Sequence, residues 1–407
     1  MTPPDSQYHP GRGCPSKRIP CYNRRMETDV QQLVQTLHDT PGRVVLVITG
    51  AGTQALAWLL GVAGASRTLL EALIPYDWQA FDDFLGQRPN QYVDAETARL
   101  MAGRALTRAR LLCQDGEAVI GLACTATVVT DRPKRGEHRA HIATWQPERV
   151  VSYTLHLEKG QRDREGEEGL VSRLILNALA QAYGLAGALD LALGAGDNLT
   201  VTQSDLSEAA HQLYRRQIDY FGVYADGQTC GRETQPQVLL SGAFNPLHDG
   251  HLGMAGAAEA HLARPVAFEL AATNVDKPAL PPQAVLERVA QFAGRWPVFV
   301  SNAPTFVEKA RLYPGATFVT GYDTAERILH NRYYGHSDSE MLAALSTIRA
   351  QGCHFLVAGR VQGNERFHTT RDLDIPAGFN DLFQPLPGFR HDISSTALRT
   401  AGKRGSR

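Results

Sequence analysis

From residue 238 onward, short apolar runs alternate with stretches of helical spacing. Residues 238–240, 266–271, 298–300, 317–320 and 354–358 have the length and composition of buried strands. Residues 252–262, 284–293, 305–311, 324–331 and 340–351 repeat their apolar side chains at helical intervals. Strands that alternate with helices predict a parallel sheet with helices on both faces, because a parallel neighbour is reached only by a crossover. Ligands of such sheets bind beyond the carboxyl ends of the strands. The turn after the first strand is therefore the first place to look for chemistry.

That turn reads Gly242, Ala243, Phe244, Asn245, Pro246, Leu247, His248, Asp249, Gly250, His251. Glycine lets the backbone approach a ligand, a helix start presents free N–H groups, and two histidines three residues apart add ring donors. The combination suits stabilisation of charge on phosphate. Far downstream, Ile393, Ser394, Ser395, Thr396, Ala397, Leu398 and Arg399 offer a second site of this kind. It joins hydroxyls and amides at a helix start to an arginine pointing back from the first turn. The bland reading of both is a structural turn before a capped helix, since Ser and Thr are ordinary caps. A zinc pair at His248 and His251 lacks a Cys or His at a supporting short spacing.

Together, in this order, the two motifs resemble the nucleotidylyltransferase superfamily, which carries H-x-G-H after its first strand and I-S-S-T-x-x-R near its end. Phe244-Asn245-Pro246 is most similar to the nicotinamide/nicotinate mononucleotide adenylyltransferases. Cytidylyltransferases more often carry F-D there, with a different distal motif. The resemblance covers roughly residues 236–400. It implies a Rossmann-like domain in which a mononucleotide phosphate attacks the α-phosphorus of ATP and pyrophosphate leaves.

The same resemblance implies roles. Gly242, Ala243, Phe244, Asn245 and Gly250 shape the nucleotide site, while His248 and His251 meet the triphosphate. Lys277, within Asn274-Val275-Asp276-Lys277-Pro278, meets phosphate just after the second strand. Arg288 on the next helix is either a further contact or a surface charge. Gly321-Tyr322-Asp323 matches a G-x-D in which glycine admits adenosine and the carboxylate bonds sugar hydroxyls. A helix N-cap by Asp323 is the competing reading. Arg360 and Arg366 are candidate phosphate or base contacts. Ile393, Ser394, Ser395, Thr396 and Arg399 take the β- and γ-phosphates, Arg399 being otherwise a solvated helix charge. Magnesium is expected on the triphosphate, keeping several waters, with no protein ligand named.

Upstream, residues 29–37, 54–60, 96–112, 170–182 and 205–216 read as helices, and 43–48, 117–125, 141–144 and 150–157 as strands. A glycine turn, Thr49-Gly50-Ala51-Gly52, a loop over 62–66 and a charged turn over 158–168 separate them. The order resembles the C-terminal domain of the CinA family, the nicotinamide-mononucleotide deamidases, over roughly residues 27–185. The match lies in the glycine turn, the loop 62–66, the Tyr76 region and Asp94-Ala95-Glu96-Thr97. In that family the turn is A-E-S-C-T-G-G, and its serine attacks the amide. Here Thr49 stands in the serine's place and Phe81 where the activating lysine falls. Threonine can serve as a nucleophile, but phenylalanine cannot activate one. This half is expected to be an inactive binding or self-pairing domain; the rival reading makes the glycine turn a packing feature.

A chain of 407 residues exceeds one typical domain. The expected division is a disordered arm over 1–25, a deamidase-like domain over 26–200, a connector over 201–235 and a nucleotidylyltransferase domain over 236–400. A net charge of −1, with no Lys/Arg stripe interleaved with aromatics, argues against nucleic acid as partner. Six scattered cysteines without a C-x-x-C pair suit a reducing compartment. The longest greasy stretch, residues 55–65, is too short to span a membrane. Residues 1–25 are Pro-rich and basic without a signal-peptide core, so Met26 competes as the start and cytoplasm is the default. The expected protein is a two-domain α/β enzyme that joins ATP to a phosphorylated small acceptor, by resemblance a pyridine mononucleotide, in NAD biosynthesis. The rivals are CMP or AMP transfer to another small phosphate, and a nucleotide-binding regulator without turnover.

Overall fold

Strand β1 (Arg43–Thr49) carries aliphatic, mostly β-branched residues that are almost all buried, as a strand covered on both faces requires. The computed structural model describes residues 27–113, 116–132, 135–273, 278–362 and 366–389. Around β1 it assembles α1 (Thr28–Asp39), α2 (Thr53–Gly61), α3 (Ala65–Thr68), β2 (Leu69–Leu73), α4 (Trp78–Leu85) and α5 (Ala95–Leu112). Then come β3 (Val119–Thr127), β4 (His138–Gln146), β5 (Arg149–Leu157), α6 (Arg164–Ala182) and β6 (Asn198–Asp205). The sheet order is β2-β1-β3-β4-β5-β6; β1 runs parallel to β2 and β3, and the later pairs are antiparallel. One face packs α1, α2 and α6 over Val44, Leu46 and Ile48; the other packs α4 and α5 over Val45, Val47 and Trp145.

The second half begins with α7 (Leu206–Tyr214), β7 (Tyr220–Val223), β8 (Thr229–Cys230), β9 (Val238–Gly242), α8 (Asp249–Leu262) and β10 (Ala267–Ala271). It continues through α9 (Pro282–Val289), β11 (Val298–Ser301), α10 (Phe306–Leu312), β12 (Thr317–Gly321), α11 (Tyr322–Ile328) and α12 (Asp338–Ala350). It closes with β13 (His354–Ala358), the hairpin β14 (Arg360–Gln362) and β15 (Arg366–His368), and β16 (Phe383–Pro385). Six strands are parallel, in the order β11-β10-β9-β12-β13-β16, with β7 antiparallel to β11 and β8 beyond it. Counted along the chain this is the 3-2-1-4-5-6 order of a doubly wound Rossmann sheet, which reverses between β9 and β12. Helices α7, α8 and α9 cover one face and α10, α11 and α12 the other. The protein is therefore α/β in both halves.

Several expectations change. The turn expected over 158–168 is helical from Arg164, because Asp163 caps the Gly166 N–H and acidic residues suit the positive end of a helix. The loop expected over 62–66 already contains the start of α3. Residues 201–205 complete β6 and residues 220–230 form β7 and β8, so the stretch expected as a connector adds strands to both sheets. Strand β6 escaped notice because its side chains are exposed or half-exposed polar groups with one valine and one leucine. No helix among the described residues is long and apolar enough to cross a membrane.

Beneath the second sheet, Glu269 of β10 is fully buried and ion-paired with Lys309 of α10, which is 4% exposed. The Ser301 hydroxyl donates to the second carboxylate oxygen at 2.6 Å. Removing one partner strands a buried charge, whereas removing both need not. Lys309→Met should therefore lower unfolding stability by about 3–5 kcal/mol in urea titrations, and adding Glu269→Leu should restore much of it. Equal stabilities for the wild type and the single variant would contradict this account.

Candidate functional site

Beyond the carboxyl end of β9 the chain leaves the sheet with Phe244 at φ 43° and its ring fully buried. That ring packs edge-on against Phe268, Phe292 and His251, with centroids 5.4, 5.2 and 5.1 Å away. A Cβ on Gly242 would stand 2.7 Å from the same ring, so only glycine fits under it. Burying this apolar anchor holds the turn firmly against the core.

His248 is the N-cap of α8, and its backbone N–H donates to His251 Nδ1 at 3.3 Å. The two imidazoles stack with centroids 3.7 Å apart. Because Nδ1 accepts, the proton of a neutral His251 ring sits on Nε2. Burial, and then the neighbouring His248, pull the His251 pKa down to about 3. At neutral pH the ring is thus an uncharged hydrogen-bond donor beside the N–H groups of a helix start. Gly250 is buried in the first turn of α8.

The loop is held from outside by two side chains that sequence reading did not place there. Gln291 donates to Phe244 O at 2.9 Å and accepts the Leu247 N–H at 2.8 Å. Arg288 donates to Ala243 O at 2.9 Å, a contact with this loop's backbone. In the sequence Gln291 is one of three polar residues in the helical stretch 284–293, with Glu287 and Arg288, and nothing there sets it apart.

Across the crevice, β12 lies beside β9, pairing Val319 with Leu240, so Gly321 and Gly242 stand at matching strand ends. Helix α11 begins at Tyr322 with Gly321 as its N-cap, which corrects the reading of Asp323 as the cap. The Asp323 carboxylate pairs instead with Arg360, and Arg366 pairs with Asp372 at 2.7 Å. Arg360 and Asp323 are each about a third exposed, so the pair is open at the surface of the crevice. A small cleft opens beside the ends of β10 and β11, lined by Leu213, Tyr214, Arg216, Thr273, Leu280 and Asn302 among others. Lys277, Ile393, Ser394, Ser395, Thr396 and Arg399 lie outside the described residues. Among the described residues no cluster of three or more His, Cys, Asp or Glu side chains is placed to hold a metal.

In the first half, Thr49 ends β1 and is buried, and Gly50 adopts φ +83°. A Cβ on Gly50 would stand 1.9 Å from Ala126 O. The donors of this turn are already engaged: Gly52 N, Thr53 Oγ1 and Gln54 N all bond the Glu168 carboxylate at 2.9–3.1 Å. Phe81 is buried on α4 and packs edge-on against Tyr92 at 5.2 Å. The position read as that of an activating lysine is thus part of an apolar core. Sequence reading also missed a buried pair in this half, His138 with Glu167 at 2.8 Å.

No family model matches the chain, and no curated protein matches it. Solved structures do. The chain is similar to competence/damage-inducible protein CihA from Agrobacterium tumefaciens, at 18% identity and a TM-score of 0.31, over 40% of this chain and 98% of that one. A CinA-superfamily protein from Escherichia coli is also 18% identical, with a TM-score of 0.31, over 39% of this chain and 94% of the other. A third, from Enterobacter cloacae, is 13% identical, with a TM-score of 0.30, over 45% and 98%.

The environment of His251 has a measurable consequence. A histidine whose folded pKa lies below its unfolded value of about 6.5 contributes stability that is complete above that value and is lost as pH falls toward the folded pKa. NMR titration of the full chain should show the His251 ring neutral at pH 5, with a midpoint near 3. Stability should decline from pH 6.5 downward more steeply in the wild type than in His251→Gln. A midpoint near 6.5 would mean that the ring is solvated and not packed under the loop.

Proposed function

We propose that the C-terminal half is an ATP-dependent nucleotidyltransferase that adenylylates a small phosphorylated acceptor, best matched by nicotinamide or nicotinate mononucleotide. The observation that carries this reading is the stacked His248–His251 pair at the start of α8, at the reversal point of a Rossmann sheet. In the reaction an acceptor phosphate oxygen bonds to the α-phosphorus of ATP, the bond from that phosphorus to the bridging oxygen breaks, and pyrophosphate leaves. No bond to the enzyme forms, so positioning and charge stabilisation supply the rate. The rings of His248 and His251, the latter uncharged, would take up charge that grows on the phosphoryl oxygens, together with the N–H groups of α8. Lys277, Ser394, Ser395, Thr396 and Arg399 are assigned the remaining phosphates by sequence motif, with Ile393 beside them. Magnesium would arrive on the triphosphate. The Arg360–Asp323 pair would border the nucleotide.

The experiment is a pyrophosphate-release assay of the purified chain with ATP or CTP against a panel of phosphorylated acceptors. Pyridine mononucleotides should be the best acceptors. CTP preference would favour a cytidylyl transfer, and ATP binding without pyrophosphate release would favour a regulator. His251→Ala should reduce turnover by about 10²–10³-fold, and His248→Ala somewhat less, with melting curves that still show a folded protein. Near-normal turnover in the double variant would remove the site assignment.

For the first half we propose a role in binding or self-pairing without amide hydrolysis. Phe81 offers no base, and Glu168 fills the glycine turn. The full chain should release no ammonia from nicotinamide mononucleotide. Release that disappears in Thr49→Ala would overturn that assignment and make the protein a two-step enzyme.

A further inference from the structure

The segment that holds the histidine loop belongs to both halves of the protein. On one side, Val285, Leu286, Val289 and Phe292 sit in the core of the second sheet, and Arg288 and Gln291 bond the loop backbone. On the other side, Ala290 and Ala293 are buried in the core of the first half, with Val45, Met101, Ala105 and Trp145. Glu287 is bonded twice by Arg110 of α5, at 2.5 Å to its carboxylate and 3.2 Å to its carbonyl. Gly294 N donates to Ala225 O, and a Cβ on Gly103 of α5 would meet Gly294 N at 2.3 Å. Backbone touches backbone at that point, so neither helix nor turn can give way.

We propose that Gln291 and Arg288 are positioning residues for His248 and His251, and that α5 of the N-terminal half is the seat that holds them in place. This rests on the nucleotidyltransfer reading for its catalytic consequence, but its geometry does not. Gln291 bridges the Phe244 carbonyl and the Leu247 N–H, the i and i+3 groups on either side of Asn245 and Pro246 that a closed turn would pair with each other. Without it, both lose their partner and the loop gains freedom. The N-terminal half thus becomes a structural part of the second half's site, which is one physical reason for the two to share a chain.

The test uses the full chain and two readouts, amide hydrogen exchange over residues 243–252 and pyrophosphate release. Gln291→Leu should speed exchange there roughly tenfold and lower kcat by a similar factor, with KM for ATP changing less. Gln291→Glu keeps the acceptor for Leu247 N–H and should fall between. Gly103→Ala, which forces Gly294 away, should give the same signature from the other half, and Arg110→Ala a milder one in case Gly103→Ala does not fold. Exchange unchanged in Gln291→Leu would overturn the positioning role. Faster exchange in that variant alone, with Gly103→Ala and Arg110→Ala both like wild type, would overturn the seat on α5. If the wild type releases no pyrophosphate, the nucleotidyltransfer reading fails, while the exchange comparison still decides the positioning.

Discussion

A parallel sheet ends in backbone groups that no neighbouring strand can pair, and where the winding reverses, the crossovers on either side leave in opposite directions and open a crevice. Between β9 and β12 this chain has such a crevice, with Gly242 and Gly321 at its two lips. The features of the candidate site are responses to it. Phe244 anchors the turn into the core, α8 and α11 aim their N-termini at the opening, and Gln291 takes the turn's leftover donor and acceptor. The geometry that exposes amides to a ligand also obliges the protein to hold those amides still.

The two halves treat a glycine turn before a helix in opposite ways. After β1, the amides at the start of α2 are answered by the Glu168 carboxylate, so an anionic ligand would have to displace a covalently tethered competitor. After β9, the start of α8 is bordered by His248 and His251, the latter held uncharged by burial. An uncharged donor costs less to desolvate than a cation, and its hydrogen bond strengthens where negative charge appears. This contrast, more than either turn alone, favours the second half for the proposed chemistry.

The contact between halves is as tight as a domain interior at its centre. Gly103 and Gly294 let α5 approach the turn after α9 closely, and Ala290 and Ala293 finish the first half's core. Ion pairs flank the contact, Arg99 with Asp226 at 2.6 Å and Arg110 with Glu287 at 2.5 Å. The partly exposed Arg110–Glu287 pair contributes little stability but fixes orientation, the largely buried Arg99–Asp226 pair would leave a stranded charge if one partner were lost, and the small-residue contact sets distance.

Local patterns were enough to place β1, β9, β10, β11, β12 and β13 and the helices between the later ones, because strand and helix periodicity is a property of the backbone and needs no partner. The His248–His251 turn was legible for the same reason: its N-cap and its stacked rings are contacts between residues three apart. Strand β6 was not legible, since an edge strand with polar faces has no apolar alternation to betray it. Neither was the Asp323–Arg360 pair nor the Glu168 carboxylate in the first glycine turn, whose partners are 37 and 116 residues apart. Nor did the sequence reveal that Gln291 serves Phe244 and Leu247 or that Ala290 belongs to another half's core. Sequence alone determined where β1 and the strands β9 to β13 lie, and that a turn with two histidines leads from β9 into a helix. Tertiary structure decided which polar groups face each other across that turn, because such pairings depend on how distant elements pack and leave no period in the chain.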